Sequence, residues 1–241
     1  RLRKITDHLV KNSRHIVTTS NASKSDILAH YSLNENEVSV CYPGAEVIYK
    51  PNGSKYIDTK PYFLYVGALR KAKNIPALIR AFSLTRQSTK KDIRLILVGS
   101  DNNPDPIILK AITSEKLQKH VIQKGFVKIH ELPKYYRGAV ALVSTSLFEG
   151  FGLPILEAMS CGCPVIVGKS GAPPEIVGKA GIVVDETDPH EISEAMVNSL
   201  EDKSRIKLKK TALKQAKTFE SRRFAKQILD LVYTYCMPHE N

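Results

Sequence analysis

Apolar and polar positions are organised in blocks along most of this chain. From Lys60 onward, short and almost unbroken apolar runs are separated by stretches with the three-to-four-residue recurrence of helices. Tyr62-Phe-Leu-Tyr-Val-Gly67 predicts a buried strand closed by a glycine, and a helix over about 74–86 follows. Ile93-Arg-Leu-Ile-Leu-Val-Gly99 predicts a second strand with the same ending, then a helix over about 106–117. A short strand at 121–124, a short helix at 130–137 and a strand at 139–143 continue the alternation. A helix over 154–159 and strands at 164–167 and 182–184 complete it. Strands that are apolar on both faces and spaced by helices predict a doubly wound, Rossmann-like α/β domain with a parallel sheet. In such sheets ligands bind outside the carboxyl ends of the strands.

The two ends of the chain read differently. Residues 1–42 give a basic helix, a strand at 15–19, a helix after Ser20-Asn-Ala-Ser-Lys24 and a strand at 38–41. A piece of this size cannot bury a core of its own. It is either the tail of a preceding domain or an addition to the edge of the main sheet. Tyr42-Pro-Gly-Ala45 is a turn signal that opens residues 43–61, which contain Pro51-Asn-Gly53 and read as a linker. The main domain is assigned to 62–220 and a final helix to 221–241, with Lys203 to Lys217 strongly basic.

The bulk numbers exclude more than they assign. A chain of 241 residues with 42% hydrophobic and 25% charged side chains is ordinary for a globular protein. No apolar run approaches the roughly 18 residues of a membrane span, and no signal-peptide pattern is present. The net charge of +12 favours polyanions, anionic lipid surfaces or phosphorylated substrates. Cys41, Cys161, Cys163 and Cys236 lack zinc-ligand spacing and read as small buried thiols of a cytoplasmic protein. The seven histidines form no ligand spacing either, so no metal site is expected.

Candidate chemistry concentrates after the strands. In Ser146-Leu-Phe-Glu-Gly-Phe-Gly-Leu-Pro-Ile-Leu-Glu157, two carboxylates stand eight residues apart around a glycine turn. Glu157 is expected on the first turn of a helix opened by Pro154, where a carboxylate can accept from both hydroxyls of a ribose. Glu149 can reach a different hydroxylated ring. Between them Gly150 and Gly152 let the backbone N–H groups of Phe151, Gly152 and Leu153 approach a ligand, beside a helix N-terminus suited to phosphate. Hydroxyls on both sides of phosphates describe a nucleotide sugar. A second loop, Gly67-Ala-Leu-Arg-Lys-Ala-Lys-Asn74, sets Arg70, Lys71 and Lys73 between a strand and a helix and fits phosphate binding. Gly99-Ser100-Asp101 and Gly125-Phe126-Val127 are weaker candidates for facing the base. Glu175, after two prolines, opens a short helix. The basic run at 203–217 lacks interleaved aromatics and matches no nucleic-acid motif, so a solvated or membrane-facing helix is the better reading.

Glu149-Gly-Phe-Gly-Leu-Pro-Ile-Leu-Glu157, continued by Ala158-Met-Ser-Cys-Gly-Cys-Pro-Val165, resembles the E-x7-E region of retaining GT-B glycosyltransferases of the GT4 type. Tyr65-Val-Gly-Ala-Leu with Lys73-Asn74 resembles that family's donor-phosphate loop. Tyr135-Tyr-Arg-Gly-Ala139, Pro174-Glu-Ile-Val-Gly178 and Ala180-Gly-Ile-Val-Val-Asp185 fall in matching order, and Ser20-Asn-Ala-Ser-Lys-Ser-Asp26 resembles the end of the family's N-terminal domain. The resemblance implies the C-terminal, donor-binding domain of a GT-B fold with a remnant of the N-terminal acceptor domain. Glu149 would face the donor sugar, Glu157 the ribose, and Lys73 the leaving diphosphate. Gly67, Phe126 and Val127 would belong to the nucleotide pocket. Two positions where the family often has arginine are Ala68 and Ala72 here, which leaves Arg70 as the substitute. The resemblance further implies a GDP- or UDP-hexose donor, no required cofactor or metal, and a glycan or lipid-linked acceptor of polysaccharide biosynthesis. It implies work in the cytoplasm or at the inner, anionic membrane face, without nucleic acid. With the acceptor domain or a partner chain missing, little or no activity is expected of this chain alone. The alternative is a non-catalytic nucleotide-sugar-binding module that pairs with a separate acceptor-domain protein. An epimerase of the same fold would need acid/base residues not found here.

Overall fold

Hydrophobic strands that can be buried on both faces form the centre of this chain. The computed structural model describes residues 2–99 and 106–236, so the candidates Ser100 and Asp101 lie outside the described residues. Contacts divide the chain into two units, 1–44 with 219–241, and 45–218.

The first unit begins with α1 (Leu2–Asn12), β1 (Ile16–Thr18), α2 (Asn21–His30) and β2 (Val38–Val40). Ser20 caps α2 by accepting from the Ser23 N–H at 3.1 Å. β1 and β2 pair in parallel as a two-stranded sheet of their own. They therefore do not extend the edge of the main sheet, one of the two placements open from sequence.

The second unit contains β3 (Tyr62–Val66), α3 (Ile75–Thr89), β4 (Arg94–Val98), α4 (Pro106–Ser114), β5 (Val121–Gly125) and α5 (Leu132–Gly138). It continues with β6 (Leu142–Ser144), α6 (Leu153–Ser160), β7 (Val165–Gly168), α7 (Pro173–Val177), β8 (Ile182–Val184), α8 (Pro189–Ser199) and α9 (Asp202–Ala216). The last helix, α10 (Ser221–Cys236), belongs to the first unit. Six parallel strands run in the order β5-β4-β3-β6-β7-β8, the Rossmann arrangement. Alternate strand residues supply the two faces. Phe63, Tyr65, Leu95, Leu97, Val143 and Ile166 pack with Leu78, Phe82 and Ile108 of α3 and α4 and with Ile192 and Met196 of α8. Tyr62, Leu64, Ile96, Leu142 and Val165 are buried on the opposite face. A hydrogen bond between buried Thr85 and Ser193, 3.0 Å, ties α3 to α8 inside the first of these layers.

Four expectations need correction. Residues 45–61, read as linker, belong to the second unit: Tyr49 is 5% exposed and the Tyr56 N–H donates to Lys134 O at 2.9 Å. Phe219 and Glu220 group with the first unit, so the main domain ends at Thr218. Cys236 is exposed, whereas Cys41, Cys161 and Cys163 are buried thiols as expected. The strand read at 139–143 is assigned as β6 only from Leu142, α5 carrying on through Gly138, although the Val140 N–H already donates to Tyr62 O at 2.8 Å.

At the strand ends two backbones nearly touch. A Cβ on Gly99 (φ +140°) would lie 1.9 Å from the Gly67 carbonyl oxygen, while one on Gly125 (φ +67°) would meet nothing within 4 Å. Gly125→Ala is expected to cost about 1–2 kcal/mol through backbone strain alone, and Gly99→Ala about 3–5 kcal/mol because the β3 and β4 ends must separate. Urea unfolding of both variants checks this; equal losses would mean that the close approach contributes nothing.

Candidate functional site

β3 and β6 are neighbours in the sheet but not in the chain. α3, which follows β3, covers one face, and α6, which follows β6, covers the other. The diverging connections open a crevice at the carboxyl ends of the two strands, where ligands of this fold class bind. A cavity of about 340 Å³ occupies it, lined by Gly67 and Ala68 from one side and by Ser146, Glu149, Phe151 and Gly152 from the other, with Lys73 between.

Local bonding explains how the loops converge. After β3, Lys71–Lys73 form one 3-10 turn and Asn74 takes a left-handed conformation (φ 49°, ψ 40°) at the start of α3, a region that asparagine tolerates better than most residues. The Asn74 side chain donates to Glu186 O at 2.7 Å. Thr145, fully buried, donates from Oγ1 to the carbonyls of Lys73 and Asn74 at 3.1 and 3.3 Å. The Leu147 N–H donates to Ala72 O at 2.9 Å. These bonds bring Lys73 Nζ within 2.5 Å of Glu149 Oε1, and Ser146 Oγ donates to the same oxygen at 2.8 Å. The two charged side chains keep 25% and 21% exposure, so the pair is screened less than a surface pair and remains open to exchange.

A third loop holds Glu149 from behind. The Ala172 N–H donates to Glu149 O at 2.9 Å. Gly171 (φ +79°) must be glycine for that approach, since a Cβ would lie 2.5 Å from the same oxygen. The carboxylate of Glu186, 3% exposed, accepts from the Lys169 N–H at 2.8 Å and from Ser170 Oγ. The strand-end loops after β3, β6, β7 and β8 are thus linked into one bonded ring.

The amino end of α6 closes the cavity floor. Gly152 precedes the helix, Leu153 is its first residue and Pro154 its second. The first N–H groups of a helix lack intrahelical acceptors and carry partial positive charge. With the Lys73 ammonium, they make this end of the cavity suited to an anion, while Glu149 and Ser146 suit hydroxyl groups.

The structure thus brings together Lys73, Glu149, Phe151, Gly152, Leu153 and Gly67 from the candidates read in sequence. Gly150 is half-buried in the same turn. Gly150 does not itself line the cavity, and four further candidates lie outside the lining. Arg70 is exposed at the start of the 3-10 turn, Phe126 is 76% exposed, and Val127 is half-buried beside it. Glu157 is the fifth residue of α6, one position beyond the first turn, because the helix begins at Leu153 and not at Pro154. Its carboxylate meets Tyr136, whose hydroxyl donates to Oε2 at 2.7 Å. Tyr49 faces the same carboxylate, its ring 5.9 Å from that of Tyr136, and its hydroxyl forms no hydrogen bond of ordinary geometry. Burial raises the Glu157 carboxyl above its usual range, opposed by the tyrosine hydroxyls.

Sequence reading missed Ser146, Thr145, Tyr136, Gly171 and Glu186 as parts of the site. Ser146 stood at the edge of the quoted block and Gly171 in a turn signal; Glu186 offered no signal beyond an acid following an apolar strand. Among the described residues, no three His, Cys, Asp or Glu side chains group as metal ligands, and no helix is long and apolar enough to cross a membrane.

Solved structures share this fold. Sucrose-phosphate synthase from Thermosynechococcus elongatus superposes with a TM-score of 0.83 at 22% identity, over 96% of this chain and 60% of that one. The Anabaena protein Alr3699/HepE in complex with UDP-glucose gives 0.82 at 21% identity, over 97% and 67%. The fold is that of the GT-B glycosyltransferases. Residues 50–218 match the family model for glycosyl transferases group 1, and the chain belongs to that family. O-antigen chain mannosyltransferase B of Escherichia coli is 30% identical over 202 residues, which cover 80% of this chain and 53% of the relative. D-inositol 3-phosphate glycosyltransferase of Corynebacterium glutamicum is 28% identical over 97% of this chain and 60% of its own length. The chain therefore spans little more than half the length of these curated relatives.

The buried Glu157 carboxylate makes a pH prediction. Its folded pKa lies above the unfolded value, so the folded state binds the proton more tightly, and this group's contribution falls as pH rises from the unfolded pKa through the folded one. Glu157→Gln removes that loss and keeps an acceptor for Tyr136. Its stability relative to the parent should rise as pH increases above the usual carboxyl range, read by urea unfolding at several pH values; a difference independent of pH would show that the carboxyl is not perturbed.

Proposed function

We propose that this chain is the donor-binding part of a retaining glycosyltransferase that takes a nucleotide-diphosphate hexose, a GDP- or UDP-sugar, and passes the hexose to a glycan or lipid-linked glycan. The observation that carries this reading is the cavity between β3 and β6, where Lys73, Glu149 and the amino end of α6 converge. Family membership supports the reaction class. Relatives named for O-antigen chains and for a diphospho-undecaprenol-linked sugar support the acceptor class.

The diphosphate lies against Lys73 and the N–H groups at Phe151 to Leu153. As the anomeric C–O bond breaks, its electrons pass to the diphosphate, and these fixed positive groups stabilise the charge that develops there. Glu149, with Ser146 beside it, holds hydroxyls of the hexose. Glu157 takes the ribose, with the Tyr136 hydroxyl fixing its carboxylate. Arg70 supplements Lys73 from the loop surface when the diphosphate is bound, and Phe126 and Val127 border the base. The acceptor hydroxyl attacks from the face that the diphosphate leaves and gives up its proton to an oxygen of the departing diphosphate, so configuration is retained. The acceptor site belongs to a domain of which the first unit is a part, so this chain binds donor and turns it over slowly by itself.

Thermal unfolding with UDP, GDP, ADP and their hexose conjugates tests the reading, since a ligand of the folded state raises the melting point by mass action. One nucleoside diphosphate should stabilise the chain and its sugar conjugate should add to the shift. Lys73→Ala should weaken diphosphate binding about 10–100-fold, the usual range for a lost charge-assisted bond. Glu149→Ala should keep the diphosphate shift and lose the sugar increment. No shift with any of these ligands would overturn the proposal.

A further inference from the structure

α9 carries a feature that the donor cavity does not use. Lys203, Lys207, Lys210, Lys214 and Lys217 recur at alternating spacings of four and three, which places them in one straight row along the helix. At 1.5 Å per residue the row extends about 21 Å. All five are exposed, opposite the side where Ala212 and Ala216 are buried. Among the described residues none of the five forms an ion pair; the helix's one salt bridge joins Arg205 to Asp202, off the row. Like charges three and four residues apart destabilise a helix, so the row opposes the stability of the element that bears it. Ile206, 56% exposed, flanks the row between Lys203 and Lys207.

We infer that this face of α9 docks the protein on an anionic lipid surface. A flat layer of negative headgroups meets a straight, carboxylate-free row of ammonium groups along its whole length, and Ile206 offers an apolar contact at the same level. Nucleic acid fits less well. The row is all lysine, with compact point charges in place of the planar forks that grip phosphates and bases, and α9 has no aromatic side chain on which a base could stack. This inference does not depend on the assignment of the donor cavity, and its test uses no nucleotide.

Sedimentation of the full chain with vesicles provides the test. Vesicles containing phosphatidylglycerol should carry the protein down, vesicles of phosphatidylcholine alone should not, and raising the salt should release it. Each lysine near such a surface is worth about fivefold in partition. Lys207→Gln/Lys210→Gln/Lys214→Gln should therefore bind about a hundredfold more weakly, with unchanged circular dichroism, since glutamine is nearly as good a helix former. Lys91→Gln/Lys110→Gln/Lys119→Gln removes the same charge from exposed positions elsewhere and should bind much as the parent does. Equal losses in the two triple variants would overturn the inference by assigning the attraction to net charge. So would failure of the parent to bind phosphatidylglycerol, or tighter binding to a DNA duplex than to these vesicles at the same salt.

Discussion

The contact between Lys73 and Glu149 joins two loops that the sheet topology drives apart. β3 sends its chain over one face and β6 over the other, so nothing in the strand order itself brings those loops together. The Leu147 to Ala72 backbone bond and the Thr145 hydroxyl on the Lys73 and Asn74 carbonyls draw them to within reach. The ion pair then closes the gap at 2.5 Å. Glu149 is held from the far side by the Gly171 turn, which itself rests on the buried Glu186 carboxylate. Loss of any one support would leave a partly buried charge without its geometry, which costs more than the pair contributes when intact.

This contact also fixes what the cavity can accept. An anion at the α6 amino end competes with Glu149 for the Lys73 ammonium, and a hydroxylated ring supplies new donors to the carboxylate. A ligand carrying both features replaces both halves of the pair at once, whereas a bare anion satisfies Lys73 and leaves Glu149 with Ser146 alone. Under the proposed function, the Lys73–Glu149 pairing would favour ligands with phosphate and hydroxyls at a set separation.

Much of the fold was legible because its strands are buried on both faces. Tyr62 to Val66 and Arg94 to Val98 read as strands from composition alone, and the glycines after them marked the ends. β6 was less legible, because the apolar run at 139–143 continues from the helix that ends at Gly138, and hydrophobicity does not mark where one element yields to the next. At the site, Glu149 and Lys73 were visible as residue types in loops, but their pairing spans 76 positions and no local pattern encodes it. Glu157 shows the opposite difficulty. Its place on the helix was readable to within one residue, but the partner that takes its carboxylate, Tyr136, stands on another helix and no local pattern encodes that contact. Glu186 was illegible because a buried acid with backbone donors looks, in sequence, like any surface acid.

The excess of cations was the plainest feature of the composition, and the structure pairs only part of it. Lys60, Lys73, Lys134 and Lys169 each meet a carboxylate within 4 Å, and their charge is spent on joining loops, strands and helix turns. The α9 lysines meet none among the described residues, although Asp202 is close enough to pair with Arg205 on the same helix. Folding therefore matched acids to some lysines and left a whole helical face unmatched. An unmatched row of one sign opposes folding through self-repulsion, so its presence is better explained by what the folded domain meets than by what holds it together. Lys73 in the basic loop belongs to the paired group: its partner is part of the fold, and its charge becomes available only when something better placed than Glu149 arrives.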